Sequence, residues 1–84
     1  MDTIAGATAT PFTTDEIVGL ALAQPERWLE AALILQTPFL AVHFLCFDGS
    51  TLWDEGIDGE QRGVTPQRFA AQYAGQFWQL QQVV

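Results

Sequence analysis

The sequence predicts an α+β domain in the order helix, helix, β-hairpin, helix. Three observations carry this reading. Helix-start signals stand at Thr13 and at Val64-Thr65-Pro66. The apolar run Phe39 to Phe47 is too short and too aromatic for a helix and reads as a strand. Asp48-Gly49, a dipeptide favoured in tight hairpin turns, follows it directly.

The first helix is expected from Thr13. Thr13-Thr14-Asp15-Glu16 matches the capping box, in which hydroxyl and carboxylate satisfy orphan N–H groups. Phe12 and Ile17 are spaced as its hydrophobic staple, and the two acids suit the positive end of the helix dipole. Pro25 interrupts this helix and suits the first turn of a second one. That second helix is expected to run to Gln36, with Trp28, Ala32 and Leu35 as a stripe widened by Leu29 and Leu33. Thr37-Pro38 ends it.

The hairpin is expected over about 39–47 and 50–54. Its first strand is apolar on both faces: Phe39, Ala41, His43, Leu45 and Phe47 alternate with Leu40, Val42, Phe44 and Cys46. A two-residue turn pairs His43 with Asp54 on one face, a possible structural pair. Residues 54–63 read as a polar, glycine-punctuated loop. The last helix is expected over about 66–82, capped by Thr65, with Phe69, Tyr73, Phe77 and Leu80 at helical spacing. Residues 1–12 read as a flexible arm and 13–84 as the single domain.

Charge and composition narrow the function classes. Ten acids stand against three arginines, with no lysine, for a net charge of −7. That balance repels phosphate backbones and anionic membrane surfaces, so direct nucleic-acid or membrane binding is not expected. It accommodates a basic protein partner. The lone Cys46 excludes an intrachain disulfide and lies in an apolar run, which suits a buried thiol and a reducing, cytoplasmic setting. The N-terminal residues lack the charge and hydropathy of a signal peptide.

No enzyme class finds its residues. His43 and Cys46, three apart on a strand, point to opposite faces and cannot form a nucleophilic dyad. No cofactor is expected: there is no phosphate-binding glycine loop, no lysine for a Schiff base, and one Cys with one His cannot build a zinc site. The acids between Asp48 and Glu60 fit no EF-hand register.

What is left over is apolar surface. Hydrophobic residues make up 49% of a chain with little interior. A homodimer covers the second face of a strand that is apolar on both sides, with a three-layer monomer as the alternative. Phe77 and Trp78 are adjacent and cannot share one helical stripe, so Trp78 is expected in the interface with Phe44, Val42, Leu40 and Phe77. Asp54, Glu55, Asp58 and Glu60 form the expected polar partner surface. The function expected is a non-enzymatic protein–protein interaction module. The alternatives are an acidic, nucleic-acid-mimicking inhibitor of a basic partner, and a small-molecule binder with an aromatic pocket near Trp53 and His43.

Overall fold

The computed structural model describes residues 11–83. The elements are β1 (Phe12–Thr13), α1 (Thr14–Ala23), β2 (Leu29–Ile34), β3 (Leu40–Phe47), β4 (Leu52–Gly56), β5 (Gln61–Val64), α2 (Pro66–Gln72) and β6 (Phe77–Val83). The strands form one antiparallel sheet of six in the order β1-β6-β2-β3-β4-β5. The helix-helix-hairpin-helix arrangement is therefore incorrect. The expected arm over residues 1–12 falls mostly outside the described residues, except that Phe12 pairs with Trp78 in β1.

The first helix starts where its sequence signals place it. Thr13 Oγ1 accepts from Glu16 N at 3.2 Å, and Glu16 Oε1 accepts from Thr13 N at 2.8 Å. Ile17, Val18 and Ala21 are its buried face. The chain then turns instead of starting a second helix. Glu26 sits at φ 67°, a left-handed conformation that breaks any helical path after Pro25. Residues 29–34 become the strand flanked by β3 and β6, where Leu29, Ala31 and Leu33 point to the helices. Ala32, on the other face, is also fully buried. A strand covered this well has no polar alternation, and its Leu and Ala content suits a helix equally.

The expected helix over 66–82 is cut short in the same way. It ends at Gln72, Gly75 takes φ 79°, and the chain continues as β6. Trp78 and Leu80 then face the core, while Phe77 lies on the opposite face. This reverses the expected placement of the adjacent aromatics: Trp78 is 0% exposed and Phe77 is 48% exposed.

Both helices cover the same side of the sheet. The core joins Ile17, Val18, Ala21 and Phe69 to Leu29, Leu45, Leu52 and Trp78. No helix of the described residues is long and apolar enough to cross a membrane.

The β3–β4 turn is wider than the expected two-residue loop. Asp48 N donates to Thr51 O at 3.0 Å, and Phe47 pairs with Leu52 rather than Ser50. The Asp48 side chain organises the turn. Its Oδ1 accepts from Ser50 N at 2.9 Å and Thr51 N at 2.8 Å, and its Oδ2 accepts from Trp53 Nε1 at 2.9 Å. The Thr51 amide, then the Trp53 indole and the Ser50 amide, lower the Asp48 pKa from 3.8 to about 2. A depressed carboxylate stabilises the fold above its unfolded value and loses that contribution as pH falls through its folded value. Asp48→Asn is therefore expected to destabilise the domain at neutral pH, with the gap to wild type closing between 3.8 and about 2. Urea titrations across that window measure it, and a gap that stays constant down to the lower limit would refute the assignment.

Candidate functional site

Two regions bring chemistry-bearing residues together, one on each face of the sheet. The helix-facing side carries a polar cluster built on His43. His43 Nδ1 lies 2.8 Å from Asp54 Oδ1, with both side chains about one-sixth exposed. The pair expected from the sequence forms, though by a different route. The wider turn moves the register by two residues, so His43 stands opposite Gly56 and Asp54 opposite Leu45. A two-residue shift preserves the face, and diagonal neighbours remain within side-chain reach. An ionised carboxylate only accepts, so Nδ1 carries the hydrogen of this bond.

The His43 ring packs edge-on against Tyr73 at 5.6 Å and Trp78 at 5.3 Å. Tyr73 caps the C-terminal end of α2 and also meets Phe69 at 4.8 Å. Burial pushes the Tyr73 phenol above its usual range, the Asp54 charge adds to that, and Arg62 opposes it. Arg62 is the β5 partner of Asp54 in the ladder.

Two clefts meet at this cluster. One, of about 320 Å³, is bordered by His43, Asp58 and Glu60. The other, of about 350 Å³, is bordered by Thr65, Arg68 and Gln72. Asp54, Arg62 and Tyr73 line both. The sequence singles out neither Tyr73 nor Arg62 as a site residue: Tyr73 fits an apolar helix position, and Arg62 falls in the expected 54–63 loop. The overlooked signal was Asp58-Gly59, the same dipeptide as Asp48-Gly49, which marks a second hairpin. Gly59 takes φ 84° there, and Asp58 Oδ1 accepts from Glu60 N at 3.0 Å.

Among the described residues, no helix lies over the opposite face of the sheet. Phe77, Ile34 and Leu40 form one cross-strand row, Ala32 and Val42 the next, and Glu30, Phe44 and Glu55 the third. Leu40 is 48% exposed, and Phe39, in the loop leading to it, is 70% exposed. The expected interface residues Leu40, Val42, Phe44 and Phe77 thus share this face, while Trp78 belongs to the core behind it. Cys46 lies on the same face but is buried; burial first, then the Asp48 and Glu26 charges, raise its thiol pKa. The thiol is correspondingly unreactive.

Trp53 also lies on this open face, beside Cys46 and above Gly63. A Cβ at Gly63 would come within 3.1 Å of the indole. Trp53 and His43 therefore occupy opposite faces and share no pocket. The expected acidic surface divides similarly: Asp54 joins the helix-side cluster, and Glu55 accepts from Gln61 Nε2 at 2.7 Å on the open face. Asp58 and Glu60 stand at the β4–β5 tip, with Glu60 3.3 Å from Arg62 Nη2. Compared with known protein families, curated proteins and solved structures, the chain matches none.

Proposed function

We propose that this domain is a protein–protein interaction module that works as a homodimer through the helix-free face of its sheet. The observation that carries the reading is the apolar row Phe77, Ile34 and Leu40, whose two outer members are about half exposed, backed by Ala32 and Val42. Sheets bury such faces against a second layer, and face-to-face sheet packing is a common way to do it.

A second copy suits this face better than a charged partner. The acidic row containing Glu30 and Glu55 lies two rows from Leu40, or ~13 Å along the strands. A two-fold axis near the Leu40 row places the two acidic rows ~26 Å apart, well beyond the ~8 Å Debye length. Like charges then stay apart while the apolar rows meet. A buried, unreactive Cys46 is compatible with a reducing, cytoplasmic setting.

Sedimentation of the wild type and of Leu40→Glu and Phe77→Glu tests this. The wild type is expected to sediment as two chains. Each variant introduces a charge twice into a two-fold interface, at about tenfold per copy, so the dissociation constant should rise about 100-fold. Circular dichroism should show both variants folded, because neither position belongs to the core. A wild type that stays monomeric at high concentration overturns the proposal, as do two folded variants that remain dimers.

A further inference from the structure

We propose that the two adjoining clefts beside His43 form one binding site for a small zwitterion of the α-amino-acid type. This site lies on the opposite face of the sheet from the proposed dimer contact, so either reading can fail without the other.

The charge layout carries the inference. The chain has only three arginines among ten acids, yet Arg62 and Arg68 both border one cleft. The adjoining cleft is bordered by Asp58 and Glu60. Asp54 and Arg62 stand at the junction, opposite each other on neighbouring strands and on the same face. Directly opposed residues of an antiparallel ladder have Cα atoms ~4.5–5.5 Å apart. A ligand holding an ammonium and a carboxylate on one carbon presents the complementary pair at similarly short spacing. A purely anionic ligand meets Asp54 unfavourably, and a purely cationic one meets Arg62 and Arg68.

The polar groups at the junction also have capacity to spare. Asp54 spends Oδ1 on His43, while its Oδ2 has no hydrogen-bond partner among the described residues. The same holds for His43 Nε2, the Tyr73 hydroxyl and the Arg68 guanidinium. For the partly buried Asp54, His43 and Tyr73 such spare groups are uncommon unless water or a ligand serves them, and the exposed Arg68 is free to swing onto a ligand. The walls supply an apolar complement as well: the Tyr73 ring stands in both clefts, with Ile57 in the acidic one. Each cleft lies at the small end of the range for small-molecule sites, which suits a free amino acid.

Amide-resolved NMR titration of the isotope-labelled protein tests the site, with L-leucine and L-phenylalanine as probes. N-acetyl-L-phenylalanine removes the positive end, and L-phenylalaninamide removes the negative end. At least one free amino acid is expected to shift resonances around Asp54, Arg62 and Tyr73, with each singly charged analogue about tenfold weaker. Arg68→Gln, at an exposed position, should weaken the free amino acid and the N-acetyl analogue about tenfold and leave the amide unchanged. No shift at millimolar amino acid overturns the proposal. Analogues that bind as tightly as the zwitterion, or an Arg68→Gln variant that binds all probes normally, overturn it equally.

Discussion

Trp78→Ala is expected to bring the domain to the edge of unfolding, while Phe77→Ala next to it barely changes the stability of the single chain. Trp78 is fully buried and packs against His43, Phe69 and Tyr73 at ring separations of 5.3, 5.7 and 5.4 Å. Truncating a buried Trp or Phe to Ala costs about 3–5 kcal/mol, because the cavity adds to the lost transfer energy. At the usual per-residue stability, a domain of this size has on the order of 4–12 kcal/mol in total. Phe77 is half exposed and lies outside the core cluster, so its truncation should cost the monomer less than about 1 kcal/mol. Urea denaturation at concentrations where the protein is monomeric measures both. The contrast also tests the secondary structure. In a strand these neighbours face opposite sides, and a larger loss at Phe77 would show that residues 77–83 are not the β6 described here.

The same two residues mark where the fold was legible. Signals made by local chemistry were readable. The Thr13–Glu16 capping box and the Thr65-Pro66 start each depend on a few adjacent residues, and both occur at those positions. The β3 strand was readable because a nine-residue aromatic run bounded by Pro38 and Asp48-Gly49 has few other uses. Tertiary context decided the rest. Leu29 to Ile34 is built of helix formers and becomes a strand because β3 and β6 flank it on both sides. Trp78 and Leu80 alternate with Gln79, a period-2 pattern that the helical spacing of Phe69, Tyr73 and Phe77 masked. Gly75 was the local mark of the change, since a glycine at positive φ commonly ends a helix. For the candidate sites, the apolar second face of β3 was visible in its composition. The meeting of Arg62, Arg68 and Tyr73 was not, because it depends on where α2 packs over a hairpin whose polar, glycine-rich sequence also suits a loop.

Thr14 holds the two ends of the domain together, and Thr14→Val should reveal it. Its hydroxyl donates to Tyr73 O at 2.6 Å and accepts from Trp78 Nε1 at 2.9 Å. A residue in the first turn of α1 thereby joins the end of α2 and the β6 strand, and its side chain is almost fully buried. Valine keeps the shape but can do neither job, leaving the buried indole N–H without a partner, while Tyr73 O keeps its bond from Gln76 N at 3.1 Å. That orphan costs about 1–3 kcal/mol and the lost bond to Tyr73 O about 1 kcal/mol more, so the variant should lose on the order of 2–4 kcal/mol. Thr14→Ser keeps the hydroxyl and loses only a methyl group, so its loss should be about 1 kcal/mol. The pair separates hydrogen bonding from packing: a steric role predicts that valine is the milder change, and the hydroxyl role predicts serine. The variant Thr14→Val/Trp78→Phe removes the acceptor and the indole donor together, so its loss should fall short of the sum of the single losses. Equal stability of wild type and Thr14→Val in urea titrations would remove Thr14 from this role. Because Tyr73 is tied to Thr14 through its backbone and lines both clefts through its side chain, loosening this link should also weaken any amino-acid binding at the Asp54–Arg62 junction.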